Sequence, residues 1–444
     1  MENYTVNEPL TRHTFMDLVN ANAYGCLKCM VYITSKPFNT SIFSQKLLSE
    51  IGCYAHLLED FFDYHGAKNN RTWFYIRELI ASLRHLSSAA YIQLHISNRI
   101  YFYDVPTTQH FKEKGQEVFL FLTETIYQLG CNVLTEAKRL HLNIPSGDDY
   151  ISAMIPKADD CVILKHDIDD EHKLHQEQSI AKIASEYLRI VKNFERFGFY
   201  DPYTFEEINE LVPDKVNEAE IRRFETIVHN LQSTFDSYVI HGGYRYGNRK
   251  FKHFRGFFSV VFHLFELIGR LLHLYERHLH EVGRTDYNKL VRESLVECIS
   301  PEQLLDCTIN YGLFYAYQFL TSGETLAKEI LNENIERSTI KVTIPQKMGF
   351  HCRPSLLVAK IVQYFGGQVE LCVGDSRFDA SSVLDIQWAG GKIQQEHITE
   401  VIFTGDKRAL NDIQILASVN YGEDMMGKGV PLPRELNYLM LDSR

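Results

Sequence analysis

The run Lys347-Met348-Gly349-Phe350-His351-Cys352-Arg353-Pro354 decides the fold prediction, because an amphipathic helix pattern begins directly after it. Apolar residues recur at helical spacing from Pro354 onward, and Gly366-Gly367 ends the pattern. Pro354 suits the first turn of a helix, where the N–H that it lacks would have no intrahelical partner. We therefore expect His351 at or next to a helix N-terminus, where free N–H groups and the helix dipole favour an anion.

This position suits a histidine that carries a phosphoryl group. A neutral imidazole offers a nitrogen lone pair for in-line attack on phosphorus. The guanidinium of Arg353 has the geometry to hold phosphate oxygens, and the backbone of Cys352 and Pro354 forms the phosphate-supporting first turn. A capping histidine followed by a solvated arginine has the same short sequence, so the tetrapeptide alone does not decide between the two interpretations.

The order of the surrounding elements favours the phosphoryl carrier. Alternating residues predict strands at 340–344, 369–373, 377–380 and 398–404. Helical spacing predicts helices after His351, from Ser382 to Gly390-Gly391, and at 409–417. The resulting order, βαββαβα, predicts a small α+β sandwich.

On these residues and this order, the segment 338–422 resembles the histidine-containing phosphocarrier protein (HPr) of the bacterial phosphoenolpyruvate-dependent sugar phosphotransferase system. The resemblance implies that His351 accepts a phosphoryl group on Nδ1 from Enzyme I and passes it to a downstream acceptor protein, supported by Arg353. In some family members the serine that matches Ser382 is a regulatory phosphorylation site. Ser382 followed by Asp385 is also the sequence of a helix N-cap, the interpretation that we favour.

The segment departs from the family pattern at three positions. Met348 stands where asparagine is common, Cys352 where threonine or a small residue is usual, and Asp385 where many relatives are basic or neutral. Family members dock on an acidic Enzyme I surface partly through basic residues, so Asp385 changes the charge of that face. We expect an apolar partner-binding rim near His351, with Trp388 either exposed as an anchor or packed between helix and sheet. The rim comprises Leu356, Val383, Leu384 and Trp388.

Composition limits the classes of function. The chain has 444 residues, a formal net charge of −11 and nine cysteines, an odd number that is widely scattered. The acidic charge argues against a nucleic-acid partner, and the cysteine usage is typical of a reduced cytoplasm. With no signal-peptide pattern and no long apolar run, the sequence predicts a cytoplasmic protein without a membrane span. The resemblance to the phosphotransferase-system family implies a bacterial protein. No cofactor is predicted.

Residues 1–335 are predicted to form a large all-α region. Helical patterns cover 42–65, 71–98, 110–139, 176–197, 217–239, 250–281 and 302–332. The polar, acidic segment 143–178 reads as a connector between the halves 1–142 and 179–335. The phosphocarrier-like domain follows at 338–422, and 423–444 is predicted to be a C-terminal tail.

The two halves share spacings that indicate an internal duplication. Asn70-Arg71-Thr72-Trp73 with Ile76-Arg77 matches Asn248-Arg249-Lys250-Phe251 with Phe254-Arg255. The spacing from His56 to Phe62-Asp63 matches that from His229 to Phe235-Asp236. The sequence therefore predicts two related helical hairpins in a pseudo-symmetric bundle.

Histidines on the predicted helices raise the question of a metal site. The apolar helix 250–281 carries a narrow polar stripe of His263, Glu266, Arg270, His273 and Arg277. Facing histidines with a carboxylate are what a bundle metal site needs, and the candidates are His85, His95, His263, Glu266 and His273. The paired Glu-x-x-His motifs of di-iron bundles are absent, so a solvated face is the favoured interpretation.

The leading hypothesis is an HPr-like phosphocarrier, phosphorylated on His351 from phosphoenolpyruvate through Enzyme I and fused to a helical regulatory or sensor region. On this hypothesis the chain carries a phosphohistidine but is not itself an enzyme. One alternative is a signalling adaptor whose bundle is the active part and whose carrier domain only docks partners. A second alternative is a bundle metalloenzyme regulated by the carrier domain.

Overall fold

The computed structural model describes residues 12–106, 109–146, 176–240, 249–280, 286–424 and 426–443, which form two compact units. The first unit contains the described residues within Met1–Asp167, Phe199–His229 and Gly256–Phe319. The second contains those within Ile168–Gly198, Asn230–Arg255 and Leu320–Arg444. The C-terminal segment therefore shares a unit with helical pieces from earlier in the chain. Most of the predicted connector, 147–175, lies outside the described residues.

The described residues before the first strand are mainly helical. Its helices are α1 Arg12–Thr34, α2 Gln45–Tyr64, α3 Phe74–Arg99, α4 Gln109–Arg139, α5 Gln176–Glu195, α6 Phe205–Leu211, α7 Glu218–Phe235, α8 Arg249–Leu274, α9 Asp286–Val296, α10 Pro301–Asp306, α11 Phe314–Ser322 and α12 Glu324–Asn334. π-helical segments follow α7, α8 and α10 at Asp236–Ile240, Tyr275–His280 and Cys307–Leu313.

The predicted helical character of this region is confirmed, but helices α1, α6 and α9 lie outside the predicted ranges. The periodicity at 42–65, 71–98, 110–139 and 176–197 corresponds to α2 to α5. Helix α1 was not predicted, because its outer face carries the exposed apolar residues Leu18 and Tyr24 and the two faces contrast weakly. The single helix predicted at 302–332 is wrong, since a π-helical segment and a break at Gly323 divide it into α10, α11 and α12.

A four-stranded antiparallel sheet forms the C-terminal segment. Its strands are β1 Arg337–Thr343, β2 Val369–Val373, β3 Ser376–Asp379 and β4 Glu400–Asp406, in the spatial order β1-β4-β2-β3. The helices are α13 Cys352–Phe365, α14 Val383–Gln395 and α15 Lys407–Ser418. The predicted βαββαβα order is therefore observed. Buried apolar residues of sheet and helices make one core that includes Val358, Ile361, Leu371, Phe403 and Ile413.

Part of the predicted C-terminal tail packs against this fold. Leu436 and Leu439 are buried in the core of the sheet and helices. Tyr438 stacks on Tyr364 of α13 with ring centroids 4.0 Å apart, and its hydroxyl donates to Asp412 Oδ2 at 2.6 Å. These contacts hold the C-terminal residues against α13 and α15.

Helices α5 and α12 hold the C-terminal segment at the far end of α13 within the second unit. Ser185 Oγ of α5 donates to the carbonyl oxygen of Phe365 at 2.5 Å. The backbone N–H of Gln368 donates to Asn332 Oδ1 of α12 at 3.1 Å, and Arg408 Nη2 donates to Ser185 Oγ at 3.2 Å. Helix α12 ends at Asn334 and β1 begins at Arg337, so only Ile335 and Glu336 connect the helical region to the first strand.

The halves of the predicted duplication contain the same local ion pair. Arg77 Nε and Nη2 donate to Asp63 Oδ1 and Oδ2, each at 2.8 Å. Arg255 Nε and Nη2 donate to the corresponding oxygens of Asp236 at 2.6 and 2.8 Å. In the sequence, Asp63 matches Asp236 in one of the two shared patterns, and Arg77 matches Arg255 in the other. The duplication as a whole stays a prediction.

Within the described residues, two helices are long and apolar enough to cross a membrane by length and composition alone. They are Gln109–Arg139 and Arg249–His280, whose most apolar stretches are 44% and 72% buried. Core helices of soluble proteins pass the same test.

Candidate functional sites

A tight backbone turn presents His351 at the start of α13. Met348 and Gly349 both have left-handed backbone angles, with φ of 64° and 59°. The N–H of His351 donates to the carbonyl of Gly349 at 2.9 Å, and Ser355 Oγ donates to the carbonyl of Phe350 at 3.1 Å. His351 is the N-cap residue, as expected, but its side chain makes no capping hydrogen bond. The imidazole is thereby left for another partner.

That partner is the buried carboxylate of Glu423. His351 Nε2 lies 3.1 Å from Oε2 in hydrogen-bonding geometry and 3.0 Å from Oε1. The Glu423 side chain is 1% exposed, whereas the His351 side chain is 28% exposed. Because a carboxylate oxygen accepts hydrogen bonds, this contact favours the tautomer with the proton on Nε2. In the neutral ring Nδ1 then holds the lone pair.

The first turn of α13 brings Cys352, Arg353 and Pro354 next to His351. Pro354 is buried, while Cys352 and Arg353 are exposed. The guanidinium of Arg353 lies on the backbone of Gly429, where a Cβ would approach Nη1 to 2.5 Å. Within the described part of the chain the guanidinium makes no hydrogen bond or ion pair, so its donors are available to an anion. Gln387 Nε2 donates to Cys352 Sγ at 3.2 Å and joins α14 to this turn.

Apolar side chains are exposed around the turn. Trp388 is 69% exposed and Leu384 is 63% exposed, and both lie on α14. Leu356 on α13 and Met348 in the turn are also exposed, while Val383 is partly buried against the core. Of the two interpretations of Trp388, the structure matches the exposed one.

Ser382 caps α14, as expected. Its Oγ accepts from the N–H of Asp385 at 3.3 Å and donates to Asp385 Oδ1 at 3.2 Å. The predicted end of this helix at Gly390-Gly391 is wrong, because α14 continues to Gln395. Gly390 is needed for packing: a Cβ there would lie 3.0 Å from the carbonyl oxygen of Phe350. Helix α14 therefore packs closely against the backbone of Phe350, the residue before His351.

Two of the predicted metal candidates meet in the first unit, together with a histidine that the sequence did not indicate. The rings of His85 and His273 stack with centroids 4.2 Å apart, and His278 lies 6.0 Å from His85 and 5.8 Å from His273. Nδ1 of His273 is 2.9 Å from Glu218 Oε2, and Nδ1 of His278 is 2.8 Å from Glu78 Oε2. The structure thus builds a cluster of His85, His273 and His278, with one carboxylate behind each of the last two.

Electrostatics keep this cluster neutral at its centre. Burial, followed by the neighbouring His273 and His278, lowers the pKa of His85 far below its ordinary value. Burial also lowers the pKa of His273, against the effect of Glu218. The pKa of Glu78 is lowered despite its burial, because His278 and Arg77 donate to its carboxylate. The lowered pKa values favour neutral rings at His85 and His273 and an ionised carboxylate at Glu78.

The other three candidates form a separate group. The rings of His95 and His263 lie 4.5 Å apart, and His263 Nδ1 is 2.8 Å from Glu266 Oε2. His95 Nε2 is 3.3 Å from the hydroxyl of Tyr103. These three candidates are partly buried and help line a cavity of about 580 Å³, and the favoured solvated face stays a prediction.

The sequence did not indicate Glu423 or His278. Glu423 is 72 positions from His351, in the segment predicted to be a tail, and only its fold back onto the turn brings it there. His278 lies in the π-helical segment Tyr275–His280, whereas α-helical spacing continues the polar stripe to Arg277, which is exposed. A π-helical turn shifts the register of every later residue.

Comparison with known proteins found no matching family model, no matching curated protein and no matching solved structure.

Proposed function

We propose that the chain is an HPr-like phosphocarrier, in which His351 reversibly carries a phosphoryl group. The donor is an Enzyme I-like protein charged by phosphoenolpyruvate, and the acceptor is a downstream protein. In each transfer the bond from phosphorus to the donor nitrogen breaks as the bond to His351 Nδ1 forms. The proton on Nε2 stays between His351 and Glu423.

The contact between His351 and Glu423 carries this proposal. A nucleophilic imidazole needs one defined tautomer, and a carboxylate on the second nitrogen is an effective way to fix it. With Nε2–H donating to Glu423, Nδ1 is the nitrogen left to attack phosphorus. The carboxylate also stabilises the positive charge that the ring gains as the new bond forms.

The surroundings of the ring suit the phosphoryl oxygens. The first N–H groups of α13 have no intrahelical partner, and they lie at the positive end of the helix dipole. The exposed Arg353, one residue inside the helix, adds a cation able to form two parallel hydrogen bonds to a phosphate. These groups favour a charge of about −2 at this point.

A carrier must also present its histidine to two different proteins in turn. The exposed side chains of Leu356, Leu384 and Trp388 supply an apolar contact surface beside His351. Helices α5 and α12 contact the opposite end of α13, so they leave this surface open. Asp385 on α14 is acidic and lies beside Leu384. We therefore expect the phosphoryl donor to have a docking face that differs in charge from that of an ordinary Enzyme I.

The test is incubation of the full chain with phosphoenolpyruvate and the cognate Enzyme I. A phosphoramidate should form that is labile in acid and stable in base, and His351→Ala should abolish it. Arg353→Lys keeps the charge but loses the planar fork, so transfer should be slower without being lost. Undiminished labelling of His351→Ala would refute the proposal, and an unchanged rate in Arg353→Lys would remove Arg353 from the mechanism.

A further inference from the structure

We propose that the cluster of His85, His273 and His278 binds one divalent transition-metal ion, with zinc as the best match. Each histidine can offer one ring nitrogen, and these nitrogens all lie within 4.8 Å of one another. Zinc bonds to histidine are about 2.0–2.1 Å long, which places the nitrogens of a tetrahedral site roughly 3.4 Å apart. Metal binding therefore requires the three nitrogens to approach one another from separations of up to 4.8 Å.

The strongest single observation is His85. Its side chain is buried, with the residue 3% exposed, and neither ring nitrogen has a hydrogen-bond partner. A buried polar group without a hydrogen-bond partner destabilises the fold, and such groups are rare in native proteins unless they have a further role. Coordination of a metal by one nitrogen of His85 gives the residue such a use.

The other two histidines are already set in the tautomer that a metal requires. Nδ1–H of His273 donates to Glu218, and Nδ1–H of His278 donates to Glu78. A carboxylate behind a histidine is the usual second layer of a metal site, because it fixes the ring and raises its basicity. In both residues Nε2 is thereby left as the ligand atom.

The backbone supports the same arrangement. His273 lies in the last turn of α8, and His278 lies five residues later in a π-helical segment. In an α-helix, residues five apart point to different faces, whereas the i to i+5 repeat of a π-helix brings them together. Short π-helical turns within longer helices occur frequently at functional sites.

The charges around the cluster accommodate a cation. Three neutral imidazoles do not balance a charge of +2, but Glu78 and Glu218 provide two carboxylates directly behind them. The buried Arg77 donates to Glu78 at 2.7 Å, but it also pairs with Glu59 and Asp63 at 2.9 and 2.8 Å, so its one charge is shared among three carboxylates. Three protein ligands leave the fourth position of a tetrahedral zinc ion open, as in sites that bind water or substrate.

Metal content and cobalt spectra test the proposal. They are measured on the full-length His351→Ala protein, which lacks the histidine of the phosphocarrier site. The protein should bind one equivalent of Zn²⁺, and Co²⁺ in its place should give the visible absorption of a tetrahedral site. His85→Phe keeps a ring of similar size without a ligand atom, and His273→Gln keeps a hydrogen-bonding group for Glu218. Each should lose the bound equivalent.

A matched control is His263→Gln, which changes another histidine of α8 and should retain the metal. Glu218→Gln should weaken zinc binding by about 10–100-fold and not abolish it, since it acts through His273. If folded protein binds no stoichiometric metal, if both cluster variants still bind it, or if His263→Gln loses it equally, the proposal is wrong. If His85→Phe fails to fold, His273→Gln alone decides the outcome.

Discussion

The carboxylate of Glu423 determines which nitrogen of His351 is available for chemistry. The carboxylate is buried, and it lies in the segment that follows α15. Its Oε2 is within hydrogen-bonding distance of Nε2 of His351. Sequence patterns predicted the histidine and its helix, because both depend on local spacing. The carboxylate depends on a contact across 72 positions, and no local pattern encodes such a contact.

Replacing Glu423 with glutamine tests this role with little change in shape. The amide can still accept a hydrogen bond, but the charge that stabilises the reacting ring is lost. A hydrogen bond to a charged group contributes about 1.5–3 kcal/mol, so phosphoryl transfer to His351 should slow by roughly tenfold or more. Single-turnover rates with a phosphorylated donor measure the effect. Asp424→Asn is the control, and an equal loss in both variants would argue against a specific role for Glu423.

Met348 has a left-handed backbone conformation. Residues other than glycine and asparagine adopt this conformation at a cost of about 1–2 kcal/mol. The side chain is exposed, so little packing is lost on its removal. Met348→Gly and Met348→Asn should therefore raise the free energy of unfolding by up to about 1 kcal/mol, measured by urea denaturation. Destabilisation by both variants would mean that Met348 makes contacts that outweigh its backbone strain.

Helix α14 shows what sequence periodicity can and cannot predict about an element. Its start at Ser382 was predicted from capping chemistry and is confirmed. Its end was predicted at two glycines, but Gly390 is there because Phe350 approaches closely, which is a tertiary requirement. The π-helical turn that carries His278 escaped prediction for a related reason, since the sequence was read with α-helical spacing throughout.

Removing the cap of α14 should destabilise the fold modestly. Ser382→Ala loses the hydrogen bond to the N–H of Asp385, a type of change that costs about 1 kcal/mol. Thermal or urea denaturation measures the loss, and Ser382→Asp should largely restore stability because aspartate is also a good N-cap. Failure of aspartate to restore it would mean that capping is not the main role of Ser382.

Trp388 provides the test of the apolar rim on the same helix. Because the side chain is largely exposed, Trp388→Ala should change the free energy of unfolding by less than about 0.5 kcal/mol. As a central contact residue, however, it should weaken binding to the phosphoryl donor by about 2 kcal/mol or more. Titration calorimetry with the donor and a parallel urea curve separate the two effects. A loss of stability without a loss of binding would mean that Trp388 contributes to folding and not to binding of the phosphoryl donor.

At the scale of the whole molecule, composition and periodicity predicted a helical region followed by a small α+β segment, and both are observed. They did not predict that pieces of the helical region share a compact unit with that segment. Helices α5 and α12 contact the C-terminal end of α13, and His351 caps its N-terminal end. With 14 residues in α13, the two ends are about 21 Å apart.

Because of this separation, a substitution at the C-terminal end of α13 should change the stability of the fold without changing the rate of phosphoryl transfer at the N-terminal end. Arg408→Ala removes the hydrogen bond to Ser185 and the pairing with the buried Asp406. It should lower the free energy of unfolding by about 1–3 kcal/mol, because a buried carboxylate loses its partner. The rate of phosphoryl transfer to His351 below the melting temperature should stay within about twofold. A large fall in rate with the fold intact would indicate coupling along the helix.

The phosphorylated full-length protein offers the most direct measurement of the central claim. After reaction with phosphoenolpyruvate and Enzyme I, intact mass and phosphorus–nitrogen NMR together give the number of phosphoryl groups and the atom that carries them. The account predicts one group, on Nδ1 of His351, with Nε2 still protonated and bonded to Glu423. A protein that takes up no phosphoryl group, or one that carries it on Nε2 or on another residue, would contradict the account.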